Sequence, residues 1–404
     1  MSDPSRSHTP EPARGWELYE IARSDDPHGR WRVLREERPV LDTGSGVFFV
    51  SRWSLVNEIL RDPRHGAGSG VEASFGEGEG LAFQVMRAWL MSLDGPPHVR
   101  ARGLVRREFT PRRVASFEPM IETIVDERVR ALEATATGEI VDLIATLAFP
   151  IPSQVIRSLF GLPEEIWRDR IEPIFRSGDA PADGGIGMID SLSHFFDELT
   201  RGHSVPDGLL SALRLPDAEL GELEPLEVVA NAVLLATAAI DTTTGLIGNA
   251  IQCLLERPGL LARIRSEPDL LGAVIEETLR FEPPALSCSR LAGEPLHLEG
   301  VEIPAGSQLL LGLAAANRDP RRYDDPDRFS IERDQTGLLS FGGGRHFCLG
   351  AALARTEARI ALERLLVRSE LELEPTEAAV WDRRNPTVRA LERLRVRIGR
   401  RSAR

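Results

Sequence analysis

One cysteine stands where a thiolate could do chemistry. Cys348 lies between the glycine-rich turn Phe341-Gly342-Gly343-Gly344 and an apolar stretch, Leu349-Gly350-Ala351-Ala352-Leu353-Ala354, that reads as the start of a helix. The positive end of a helix dipole and its free N–H groups favour a thiolate. The glycines permit backbone angles that a Cβ would forbid and let the loop lie against something flat. Gly350 leaves room beside the sulfur. A thiolate in this bed is a metal ligand or a nucleophile. A lone cysteine beside a glycine turn is more often a buried structural residue, so the rest of the chain has to decide.

Three further groupings carry chemical potential. In Asp94-Gly95-Pro96-Pro97-His98-Val99-Arg100-Ala101-Arg102 the prolines fit a helix start. His98 and Arg102 are four apart and share a helix face, so they could grip a pair of carboxylates. Taken alone, such a pair is usually a solvated surface pair. Near the middle of a long apolar helical pattern lies Ala238-Ala239-Ile240-Asp241-Thr242-Thr243. A carboxylate there is costly unless it has a role or partners, and the threonines could instead only bend the helix by bonding its backbone. Glu277 and Arg280, three apart, could pair on a helix, a common and individually weak signal.

Taken in order, these stretches resemble the cytochrome P-450 superfamily in its soluble bacterial form. Phe341-Gly342-x-Gly344-x-His346-x-Cys348-Leu349-Gly350 fits every fixed position of that family's haem-binding signature. The resemblance spans residues 30–400 approximately and implies a mainly α cytochrome P-450 fold with a small β-rich region. It implies heme b held by Cys348 as metal ligand, within a loop that includes Phe341, Gly342, His346 and Gly350. His98, Arg102, Arg290 and His346 are implied to hold the propionates, with Ala238 against the haem. Asp241 and Thr242 are the implied acid–alcohol pair that manages protons for bound dioxygen. Ala239 departs from the pattern, which has glycine there. Glu277 and Arg280 are implied to form a structural triad with Arg328. Substrate contacts fall on Ala238, Ala285, Leu286 and, more weakly, Val388. The loops at Arg64–Gly80 and Ser177–Gly187 are implied to cover the substrate.

The elements that must position these residues are legible in part. Pro225 to Arg257 reads as one helix, roughly 50 Å long. Trp53–Leu60 reads as a helix, Trp31–Val50 as short strands, and Leu296–Leu313 as strands around the turn at Pro304-Ala305-Gly306. A helix follows Cys348 to about Arg368. Residues 1–14, polar and proline-rich, read as a disordered segment, and 15–404 as a single domain.

Composition sets the surroundings. The chain has 404 residues, 42% hydrophobic and 27% charged, with net charge −13 and no lysine. The acidic balance argues against nucleic acid. Three cysteines, Cys253, Cys288 and Cys348, make no disulfide framework and suit a reducing cytosol. The most apolar run, Val228–Ile240, is too short to span a bilayer, so the expectation is a cytoplasmic protein, off the membrane and monomeric.

No flavin or nicotinamide motif is present. The resemblance therefore implies a monooxygenase that takes electrons from a ferredoxin and ferredoxin reductase and inserts one atom of O2 into a hydrophobic small molecule. Arg100, Arg102, Arg106, Arg107, Arg112 and Arg113, with Arg355 and Arg359, are the expected docking charges. Two alternatives remain: a member that uses peroxide or isomerises its substrate, which would tend to lack the acid–alcohol pair, and a haem-binding gas sensor.

Overall fold

The computed structural model describes residues 15–67, 78–176, 185–202 and 207–400. Segment 1–14 and the centres of both expected cover loops, 68–77 and 177–184, lie outside the described residues.

The long apolar pattern folds as one helix, Pro225–Leu255, the central helix. Pro225 occupies its first turn and Glu227 returns a carboxylate to the Glu224 N–H at 2.8 Å, satisfying an end donor. Its side chains are apolar on nearly every face, so it must be covered on nearly every face. The helices Leu81–Ala88, Pro150–Phe160, Ile186–Arg201, Leu271–Phe281 and Ala351–Leu362 pack around it and build the main core. This helix is long and apolar enough to cross a membrane. The short run read from the sequence understates it; burial inside the protein accounts for its hydropathy.

A smaller layer holds the strands. Val40–Asp42, Val47–Val50, Gln308–Leu311 and Cys288–Leu291 form a four-stranded sheet in that order, with a parallel pairing only between the middle two. Leu296–Leu298 and Val301–Ile303 pair as a hairpin before the Pro304 turn. The stretch from Trp31 to Glu37, expected among the strands, instead closes the helix Pro27–Glu37. Trp31 and Arg35, four apart, are both buried there, and Arg35 donates to the Ala315 carbonyl at 2.8 Å. That period-four burial is what the short apolar run concealed.

The C-terminal tail forms a hairpin, Val380–Trp381 against Leu391–Arg393. Between its strands, Val388 bridges Ala285. The tail therefore lies beside the segment that follows the Leu271–Phe281 helix.

Candidate active site

The cysteine loop is shaped by glycines used in different ways. Gly342 and Gly344 have φ of 69° and 64°, in the left-handed region. At Gly344 a Cβ would also lie 2.3 Å from the Leu60 carbonyl oxygen, so only glycine lets the loop settle on the Trp53–Arg61 helix. The Cys348 N–H closes the loop on the Phe341 carbonyl at 2.9 Å. At Gly350 a Cβ would meet nothing within 4 Å, so room, not backbone strain, is what this position offers.

The Cys348 sulfur accepts N–H bonds from Gly350 and Ala351 as the helix Ala351–Leu362 begins. Burial pushes its thiol up, while those N–H groups and the charges of Arg102 and Arg355 favour the thiolate. The residue nonetheless keeps exposed surface. So does Ala238, near the midpoint of the central helix, where its neighbours are buried or half-buried. The helix Ala351–Leu362, which begins beside the cysteine, packs against the central helix, so the two exposed positions belong to neighbouring elements.

His98, on the helix Gly95–Arg106, is buried, and its Nε2 has no partner. Its ring lies 4.2 Å from that of His346. Arg290 is buried, donates to the Ser289 carbonyl at 2.8 Å, and its charge reaches both histidines. Burial holds both histidines below the usual range, His346 down to about 4. Arg102 donates to the Phe347 carbonyl, on the sulfur side of the same region. Asp94, which the sequence reading passed over, orients the loop from the helix start: it takes Arg345 at 3.1 Å and His346 at 3.3 Å.

These residues suit a haem. An orphaned buried imidazole nitrogen and a buried arginine converge where anionic carboxylates would satisfy them, and a sulfur supplied with N–H donors lies on the loop that carries His346.

On the central helix, Thr242 donates to the Ala238 carbonyl at 2.6 Å, a bond within the helix. Asp241, beside it, is pushed up to about 6, chiefly by burial and then by the negative charge of Asp382, against the opposing charge of Arg384. Ala239, in the place of the usual glycine, packs against the main core. Ala285 and Val388 are half-buried and bridged to each other.

Leu286 does not join them. It is 3% exposed and packs with Leu18, Trp31, Leu41 and Phe49. Strand-like alternation turns its side chain to the opposite side from its neighbour Ala285, so its reading as a substrate contact is corrected.

The buried triad also differs from its expected membership. Glu277 and Arg280 are fully buried and joined by two bonds of 2.8 Å. Arg328 is exposed and contributes only its carbonyl, which accepts from Arg280 at 3.1 Å. The third cation is Arg333, whose Nε lies 3.6 Å from Glu277. Ser330 N–H at 2.7 Å and Gln335 complete the carboxylate's shell. Arg280 also donates to the Asn317 carbonyl, and Asn317 Nδ2 donates to Ser340 beside Phe341. The triad thus reaches the cysteine loop through Asn317.

Two of the expected docking charges are neutralised. Arg355 is paired with Glu276 and lies 4.4 Å over the Phe341 ring; Arg359 is paired with Glu118 and Glu363.

Comparison with known proteins identifies the family. The cytochrome P-450 family profile matches residues 197–390. The chain is 37% identical to the cytochrome P-450 monooxygenase PikC of Streptomyces venezuelae, over 92% of this chain and 91% of that protein. It is 38% identical to the vitamin D(3) 25-hydroxylase of Pseudonocardia autotrophica, over 94% and 95%. Among solved structures, the P-450 BioI bound to an acyl carrier protein bearing hexadec-9Z-enoic acid superposes with a TM-score of 0.82 at 30% identity, covering 95% of this chain and 100% of that one. This chain belongs to the cytochrome P-450 family and is a monooxygenase of the type found in bacteria.

Proposed function

We propose that this monooxygenase inserts one atom of O2 into a hydrophobic organic molecule, with heme b held through Cys348 and electrons supplied by a ferredoxin and ferredoxin reductase. What supports the reading is a Cys348 sulfur with N–H donors at the start of Ala351–Leu362, and exposed Ala238 beside Asp241 and Thr242 on the central helix that Ala351–Leu362 packs against.

Haem iron bound through the sulfur supplies dioxygen activation, and a thiolate ligand favours O–O cleavage. The chain's own residues supply the rest. Gly350 and Ala351 N–H groups hold negative charge on the sulfur. His98, His346, Arg290 and Arg102 would hold the propionates. With an ordinary value raised to about 6, the Asp241 carboxyl both takes and gives a proton near neutral pH. The Thr242 hydroxyl, tied to the Ala238 carbonyl, orders the proton path. Phe341 and Gly342 shape the loop behind the sulfur.

Ala238, Ala285 and Val388 are the proposed substrate contacts. All three are small or apolar, which suits bulky apolar substrates such as those in the relatives' names, a vitamin D(3) and a long acyl chain. The protein is read as a cytoplasmic monomer.

The presence of the acid–alcohol pair favours this reading over direct peroxide use or gas sensing. The test is Thr242→Ala. It should retain haem and the substrate-induced spectral shift while diverting reducing equivalents to hydrogen peroxide. A variant as well coupled as the parent would remove Thr242 from the reaction. No product with NADPH, a ferredoxin and its reductase across a library of apolar compounds would favour a sensor.

A further inference from the structure

The Asp241–Thr242 pair has a charged neighbour outside its own motif. Asp241, Gly245 and Asn249 are spaced by four and form one line along the central helix. The C-terminal hairpin lies on that line. At Gly245 a Cβ would come within 3.2 Å of the Ala390 Cβ and 3.3 Å of the Arg389 carbonyl oxygen, so glycine lets the hairpin approach closely. One turn on, the Asn249 amide donates to the carbonyls of Arg389 and Glu282, both at 3.0 Å.

The hairpin is fixed from its other side as well. The Arg389 N–H donates to the Pro284 carbonyl at 2.7 Å, and its guanidinium pairs with buried Glu282 and lies 3.7 Å over the Trp381 ring. Asp382 stands opposite Ala390, its N–H donating to the Ala390 carbonyl at 2.9 Å. That register pairs Asp382 with Ala390, which meets the helix at Gly245, one turn from Asp241.

Arg384 then grips Asp382. Its Nε lies 2.9 and 3.1 Å from the two carboxylate oxygens and its Nη2 2.6 Å from one of them. The Asp382 side chain is 19% exposed and that of Arg384 41%, so the pair runs from the interior to water. Among the described residues, Asp382 and Arg384 are the charged groups whose fields reach Asp241, and Glu392 on the return strand acts on Arg384.

We propose that Arg384, held on the C-terminal hairpin by Asp382, is a positioning residue for Asp241, shared electrostatically between the two carboxylates and linking Asp241 to surface water. The inference rests on the reading of Asp241 as the proton-handling acid. Its mark is that the two members act in opposite directions. Asp382 opposes ionisation of Asp241 and Arg384 favours it. Arg384→Gln removes the cation and leaves Asp382 uncompensated, so the Asp241 midpoint rises. Asp382→Asn removes the anion and frees the guanidinium for Asp241, so the midpoint falls.

The test is infrared titration of the Asp241 carboxyl in the holoenzyme, its band assigned by its loss in Asp241→Asn. It is paired with the pH profile of NADPH-driven oxygen consumption using a plant-type ferredoxin and its reductase. Arg384→Gln should move the carboxyl midpoint up, and Asp382→Asn down, each by roughly half a pH unit or more. Arg384→Lys should restore most of the parental midpoint. Shifts of the same sign, or no shift in either variant, overturn the proposal, because general loosening of the hairpin would not reverse sign between them. If instead Asp241→Asn leaves the oxygen-consumption profile unchanged, the proton role of Asp241 fails. The opposed midpoints would then still decide whether Arg384 positions it.

Discussion

At the scale of single residues, the site works by withholding water from charge. Asp241 shows the cost. Its carboxyl is raised from 3.8 to about 6, so the folded state holds that proton more tightly than the unfolded chain does. The resulting stability is fully present below the unfolded value and is lost as pH rises through about 6. Two units correspond to roughly 3 kcal/mol, and access to solvent returns part of it. Asp241→Asn should therefore unfold at higher denaturant at pH 7, by about 1–2 kcal/mol, with little gain at pH 4, while turnover slows. Equal stability of the two proteins at both pH values would place the carboxylate in water. Cys348 is tested spectroscopically. The reduced carbon monoxide adduct should show the red-shifted Soret band of thiolate ligation, and Cys348→Ala should lack it; a retained band would reassign the ligand. Cys348, His98, Asp241 and Thr242 stand out in the sequence because fixed spacings within one segment single them out for the roles proposed above. Asp94 and Arg384 do not, because Asp94 pairs with Arg345 and His346 far away in the chain and the proposed target of Arg384, Asp241, is equally distant, so nothing local distinguishes a partner from a solvated charge.

At the scale of elements, the central helix was readable because an all-round apolar pattern bounded by prolines has one solution. The triad behind the cysteine loop was only half readable. Glu277 and Arg280 sit one helical turn apart, so their pairing follows from spacing. Their third member arrives through an irregular segment in which spacing says nothing about direction. Arg328 turns outward and lends a carbonyl; Arg333, five residues on, turns inward to Glu277. Removing one partner of a buried charge cluster leaves the others uncompensated, at roughly 3–5 kcal/mol. Arg333→Ala should thus lower the unfolding midpoint strongly and reduce haem retention during purification. Arg328→Ala should change stability by less than about 0.5 kcal/mol, since the backbone carbonyl remains. A reversed order of these two variants in thermal unfolding would restore Arg328 to the triad. Leu286 teaches the same lesson on a smaller scale: it adjoins Ala285 in sequence, yet one step along the backbone moves a side chain from one packed cluster to another.

At the scale of the whole molecule, the acidic ferredoxin proposed as electron donor would have to find a favourable face on a chain of net charge −13. Docking responds to local potential rather than to the total. The structure narrows the face expected from sequence. Arg100 pairs with Glu227, Arg107 reaches Asp217, and Arg113 pairs with Glu108 and stacks on Phe117 at 4.9 Å. Arg355 and Arg359 are likewise neutralised. Among the described residues of this region, Arg106 and Arg112 remain exposed with no acidic partner. Val99 and Phe347, 63% and 42% exposed, add apolar surface next to the cysteine loop. A partner that meets this region gains an apolar centre and two free cations, an arrangement in which rim charge sets association rate more than affinity. Reversing Arg106 and Arg112 to Glu should slow reduction by an acidic ferredoxin about tenfold or more at low salt, with dithionite reduction unchanged. The difference should shrink toward 0.15 M salt, where the Debye length is about 8 Å. Reversing Arg355 and Arg359 should do less to the low-salt encounter rate, because their charge is already matched by Glu276 and Glu118. Stopped-flow reduction of the four proteins at two salt concentrations decides the matter: a larger loss from the Arg355 and Arg359 pair would move the docking face onto the helix that follows Cys348.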